Sequence, residues 1–102
     1  MIECNSIDEV RNNINNIDEQ IVKLIALRGH FVNQAAKFKK DSNAVKAPKR
    51  VEEVINKVKD LAKIAAVNEE LVENVYRTMI DSFIKFEMKE FEKLKWKMNL
   101  FL

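Results

Sequence analysis

A chain of 102 residues makes one domain, and its 47% apolar and 33% charged residues exclude both a disordered chain and a membrane-spanning one. One Gly and one Pro leave too few turn formers for a sandwich or barrel, and no glycine-rich phosphate loop. The net charge of +2 gives no electrostatic footprint for nucleic acid or a membrane surface. The single Cys4 cannot form an internal disulfide, and with the single His30, expected on the polar side of its helix, it makes no metal cluster. No signal-peptide pattern opens the chain, so a cytoplasmic, cofactor-free protein is expected.

Ser6 and Glu9 have the spacing of a capping box, so a helix is expected from Ile7. Apolar residues then recur at Ile7, Val10, Ile14, Ile17, Ile21, Leu24, Phe31, Ala35 and Phe38, in steps of three and four with Arg28 at the one missing position. No Pro interrupts residues 7 to 40, so the pattern predicts one very long first helix of about 50 Å at ~1.5 Å per residue, which Gly29 weakens without ending. A compact chain of this size has a radius of gyration of about 13 Å and cannot cover such a rod. The stripe therefore needs a partner chain.

The polar segment 40–47 predicts a loop, and Pro48 suits the first turn of a second helix, with Val51, Val54, Ile55, Val58, Leu61, Ala62 and Ala65 on its inner face and an end near Val67. Asn68 is an N-cap candidate for a third helix to about Lys95, with a stripe of Leu71, Val72, Val75, Tyr76, Met79, Ile80, Phe83, Ile84 and Phe91. The tail 96–102 then docks or frays. The expected fold is all-α, with three helices per chain in a single domain over 1–102, paired as a homodimer.

Four arginines occur. Arg77 has Glu73 and Asp81 one turn either side and suits a surface ion pair. Arg28 holds a core position, where an unpaired guanidinium is costly unless something anionic meets it. Arg11 and Lys39 flank the same stripe, and Arg50 lies at the inner edge of the second helix. These cations either pair with internal acids such as Asp18 or Glu52, snorkel to water, or form an anion site. On one helix Arg11 and Arg28 are ~25 Å apart, too far to grip one small molecule, whereas antiparallel pairing of two chains brings Arg11 of one towards Arg28 and Lys39 of the other. Glu87 falls on the apolar face of the third helix, where it either neutralises one of those arginines or is kept protonated by burial and donates a hydrogen bond. Cations without a nucleophile suit a small dianion, or a reaction with no covalent step.

The stretch VRNNINNIDEQIVKLIALRGHFVNQAAKFK (Val10 to Lys39), followed by APKRVEEV (Ala47 to Val54), resembles the all-helical chorismate mutase family with its isochorismate-pyruvate lyase branch. The resemblance covers roughly residues 5 to 95, and the series Arg11, Arg28, Lys39, Arg50 matches in spacing as well as type. It implies an intertwined helical homodimer with shared sites for a small dicarboxylate, chorismate or isochorismate. By the resemblance, Arg11 of the partner chain and Arg28 hold the substrate carboxylates, Lys39 meets the ether oxygen, Arg50 supports the site, and Val51 and Ile84 complete the substrate-binding set. Glu87 stands where bacterial members usually have Gln as second donor to that oxygen, and a carboxyl donates there only when protonated. Val51 stands where many mutases have Glu, as in the lyase branch. The expected function is chorismate mutase; the alternatives are isochorismate-pyruvate lyase and a catalytically silent helical dimerisation module.

Overall fold

The computed structural model describes residues 2–100. Four helices follow in order: α1 (Ile7–Ala36), the short α2 (Ser42–Lys46), α3 (Pro48–Ile64) and α4 (Glu69–Leu100), with no strand among the described residues. None is long and apolar enough to cross a membrane. The chain forms two compact units, one ending at Ala35 and the other beginning at Ala36.

In the first unit the Glu9 N–H donates to Ser6 Oγ (3.1 Å), and the Glu9 carboxylate accepts from the N–H of Asn5 (2.8 Å) rather than from Ser6 itself. The helix start is thus capped from both sides as its sequence predicts. The row Ile7, Val10, Ile14, Ile17, Ile21, Leu24 and Phe31 is exposed along the single chain.

α1 ends at Ala36 after 30 residues, short of the expected residue 40, so Phe38 and Lys39 lie beyond it. The Lys39 N–H turns back onto the Ala36 carbonyl (3.1 Å), and Asp41 takes extended backbone (φ −150°, ψ 175°) to receive the Ala44 N–H at 2.8 Å. A second cap within five residues competes with continuation of the first helix, which is why part of the predicted loop 40–47 is the helix α2 instead. Ala47 joins α2 to α3 in the left-handed region (φ 39°, ψ 57°), a conformation that costs a non-glycine residue about 1–2 kcal/mol, and Pro48 follows at the first helical position.

α3 stops at Ile64 rather than near Val67 because the chain closes a Schellman motif: Val67 N–H to Ala62 O (2.9 Å) and Ala66 N–H to Lys63 O (3.2 Å), with Ala66 at φ 57°. Asn68 Oδ1 then accepts the Leu71 N–H at 3.0 Å and starts α4, as predicted. With no Gly or Pro after Pro48, α4 runs on to Leu100, so the segment from Trp96 to Leu100 is helix and not a separate tail; residues 101 and 102 lie outside the described residues.

The core of this unit is the row Ile55, Val58 and Ala62 on α3, with Ile80 on α4 and Val45 on α2. Ile55 is 2% exposed, whereas Leu61, expected inside, is 51% exposed, and Ala65 is exposed too. In its unit α3 packs on α4, so the row turned to that neighbour is covered and the next row is not. The two helices run antiparallel, as their cross-pairs show: Lys63–Glu69 (3.7 Å), Lys59–Glu73 (3.5 Å) and Glu52–Arg77 (3.0 Å).

Arg77 does not pair with Asp81, which goes to Lys85 (3.0 Å). It grips Glu52 of α3 with both terminal nitrogens (3.0 and 3.1 Å) and Glu73 with Nε (2.8 Å). Its hydrogen bonds hold both carboxyls below their ordinary value of 4.5, and Glu52 and then Glu73 raise the guanidinium in turn. Carboxyls depressed in the folded state contribute stability above their unfolded value and lose it as pH falls through the folded one. Arg77→Met is therefore expected to lower the urea midpoint at neutral pH, with the gap to the wild-type chain closing from about pH 5 towards about pH 3. A gap that stays constant across that range would contradict this.

Candidate functional site

Of the predicted site residues, the structure brings Lys39 and Glu87 together. Lys39 Nζ donates to Glu87 Oε2 at 3.1 Å, with the two side chains 20% and 5% exposed. Lys39 sits on the non-helical stretch between α1 and α2, and Glu87 on α4, two turns after the buried Ile80. The sequence left open whether Glu87 neutralises a cation or is a protonated donor; the structure gives it a cation, though a lysine rather than an arginine. Glu87 is the buried charged residue among the described ones, and no buried side-chain polar atom there lacks a partner. A carboxylate so far from water depends on that ammonium, since desolvation costs several kcal/mol per ion.

Arg50, Val51 and Ile84 are the other predicted site residues of the second unit. Arg50 is not at an inner edge: its side chain is 69% exposed and reaches Glu53 one turn on (3.6 Å). The first turn of α3 presents it outward because Ile55 and Val58 set the buried face. Val51 beside it is half-buried, as is Ile84, which precedes Glu87 by three residues and so shares its side of α4. In the first unit Arg11 is exposed and Arg28 half-buried, next to the buried Gly29. His30 is exposed, with a ring nitrogen 2.9 Å from Gln34 Nε2. Among the described residues no group of His, Cys, Asp and Glu is placed to hold a metal.

Sequence reasoning missed Asp41 and Val45. Asp41 caps α2, and Val45, 3% exposed, is the residue α2 buries as it packs on α4. Both left a signal: an Asp three residues before Ala44, and a lone β-branched apolar residue in the polar run KDSNAVKA.

Residues 10–88 match the family model of chorismate mutase type II. The chain belongs to that family. The match takes in every residue from Arg11 to Glu87 that the sequence singles out, and α4 continues past it. The chain is also similar to the isochorismate pyruvate lyase of Pseudomonas aeruginosa, with 26% identity over 87 residues, covering 85% of this chain and 86% of that protein. The family resemblance read from the arginine and lysine spacing is thereby shown.

The contrast between the two ion pairs yields a prediction. Lys39→Ala leaves a buried carboxylate uncompensated and is expected to cost about 3 kcal/mol in urea unfolding. Arg50→Ala breaks an exposed pair and should cost less than about 1 kcal/mol. Equal losses would mean that the burial of Glu87 is not what the lysine stabilises.

Proposed function

We propose that this member of the chorismate mutase type II family is a cytoplasmic chorismate mutase, rearranging chorismate to prephenate with no covalent intermediate. Family membership and the Lys39 ammonium, held at a mostly buried position by Glu87 3.1 Å away, support the reading. In the rearrangement the ether C–O bond breaks as a C–C bond forms within one molecule, and negative charge gathers on the ether oxygen. A fixed cation in a water-poor setting stabilises that charge far better than it would in water, because it needs no reorganisation at the moment of reaction. Lys39, paired with Glu87, takes this role at the reacting end. Arg28, and Arg11 of a second copy, hold the two substrate carboxylates and so select the compact conformer, which lowers the entropic part of the barrier. Arg50 supports the site, and Val51 and Ile84 offer apolar contact.

The second reading is isochorismate-pyruvate lyase, giving salicylate and pyruvate. Two observations favour it: Val51 follows Arg50 where many mutases have Glu, and the similar protein of P. aeruginosa is named isochorismate pyruvate lyase. One purified sample assayed for loss of chorismate absorbance and, with isochorismate, for salicylate fluorescence separates the two. Neither activity would leave the silent dimerisation module. If Lys39 acts on charge that exists only in the transition state, Lys39→Ala should lower kcat by about two to three orders of magnitude with a smaller change in KM.

A homodimer with shared sites is part of the same proposal. The exposed apolar row of α1 supports it, since seven large or β-branched side chains lie open to water along the single chain. Sedimentation should find a dimer at micromolar concentration. Mixing inactive Arg11→Ala and Arg28→Ala chains should restore part of the activity, because some mixed dimers carry one intact site. No recovery after proven subunit exchange would favour sites built from one chain.

A further inference from the structure

The family match ends at residue 88, and α4 runs on to Leu100, about 18 Å further at ~1.5 Å per residue. Its inner row is Ile80, Ile84, Glu87, Phe91 and Leu94, in steps of four and three that keep to one side of the helix. Cover runs out along that row. Ile80 and Glu87 are buried and Ile84 and Phe91 half-buried, but Leu94 is 61% exposed. The cross-pairs of α3 and α4 give the reason. α3 begins one turn before Glu52, the partner of Arg77, so its side of the antiparallel pair stops about one turn past Arg77, and α2 is only five residues long.

The start of α1 carries the matching pattern. Ile7, Arg11 and Ile14 repeat the steps of four and three and are all exposed, with the half-buried Cys4 three residues before Ile7. Set antiparallel with Arg11 level with Glu87, the two rows fall in register: Ile14 meets Ile84, Ile7 meets Phe91 and Cys4 meets Leu94. A parallel setting puts Ile14 against the exposed Glu90 instead. The charges favour the antiparallel one. Glu3, Asp8 and Glu9 precede Arg11 with no cation among them, whereas Lys89, Lys93, Lys95 and Lys97 outnumber Glu90 and Glu92 on the last turns of α4.

From this register we propose that α4 beyond residue 88 is a dock for the start of α1 of a second copy, whose Ile7 closes on Phe91 and Leu94, and that this dock sets the second copy's Arg11 in the site. The inference deepens the proposed function, in which Arg11 of a second copy holds a substrate carboxylate, and it rests on that reading. An arginine side chain loses much rotamer freedom when it binds. Apolar contacts one turn away on its own helix fix the backbone from which it reaches, so less has to be ordered when substrate arrives. The same contacts take Ile7 and Leu94 out of water.

The test uses the chain's single cysteine. Facing positions on helices packed about 8–10 Å apart lie within reach of a disulfide. Leu94→Cys, oxidised with diamide, should give a covalent dimer on a non-reducing gel, with the link mapped by mass spectrometry between Cys4 and position 94. Leu94 is exposed in the single chain, so the change spares the fold. Trp96→Cys, on the other side of α4, should give no such dimer. No covalent dimer, a link joining position 94 only to itself, or equal linking from position 96 overturns the proposal. Activity is the second readout: Leu94→Asp should lose specific activity on dilution over a range where the wild-type chain keeps it, and regain it on concentration. Activity no more dependent on concentration than that of the wild-type chain also overturns the dock. A chain that links Cys4 to position 94 yet turns over neither chorismate nor isochorismate keeps the dock and overturns the proposed function; an active chain that does not link does the reverse.

Discussion

A carboxylate at residue 87 has almost no contact with water, and the arrangement of the second unit follows from providing for it. Desolvation penalises an isolated ion by several kcal/mol, so the fold needs a cation at that depth on α4. Neither α3 nor α2 supplies one within ion-pair distance; Lys39 does, from the stretch before α2. The chain leaves the helical path after Ala36, turns, and starts again at Asp41.

The remaining forces in this unit are modest one by one. A single row of Ile55, Val58 and Ala62 covers one side of α4, each large side chain contributing on the order of 1.5–3 kcal/mol by burial. Outside that row the antiparallel pair is laced by Lys63–Glu69, Lys59–Glu73 and the fork of Arg77 on Glu52, all of them partly open to solvent. Exposed pairs of this kind contribute about 0–1 kcal/mol each, so their value is register more than strength. Arg77 is the best placed of them because its planar fork meets one carboxylate with two bonds and another with a third.

The sequence makes some of this plain and hides the rest for identifiable reasons. Two side-chain-capped helix starts were legible, at Ser6 and at Asn68, and Pro48 announced α3, whereas the Asp41 cap of α2 was not. Helix ends were not. α1 and α3 stop where backbone hydrogen bonds and left-handed or extended residues close the chain, and at Ala47 and Ala66 an alanine takes the conformation that glycine usually signals. At the site, Glu87 was recognisable as an acid on an apolar face, but its partner was not, because a helical reading put Lys39 on α1. Arg50 read as inward from its distance to Val51 and Val54, although only the row through Ile55 and Val58 is buried. Periodicity tells which residues share a stripe; which of two adjacent rows meets a neighbour is decided by how many neighbours there are.

The likeness of the two candidate reactions has a chemical root in the same features. Both candidate reactions begin with an enolpyruvyl ether and break its C–O bond without a covalent attachment to protein, so both ask for a cation at the oxygen and for carboxylate anchors. In the proposed function Lys39 answers the first demand in either case. What differs is the ring substituent pattern, and the position beside Arg50 that would read a ring hydroxyl is an apolar, half-buried valine. A site that leaves the hydroxyl unread discriminates weakly by hydrogen bonding, because rejection by factors of about 10⁴ or more comes from buried polar groups left unpaired by the wrong ligand, and an alkyl wall has none to leave. On the proposed function, Val51→Glu adds a polar reader at this position. If the hydroxyl of chorismate lies there, that change should raise kcat/KM for chorismate relative to isochorismate; an unchanged ratio would place the discriminating contact elsewhere in the site.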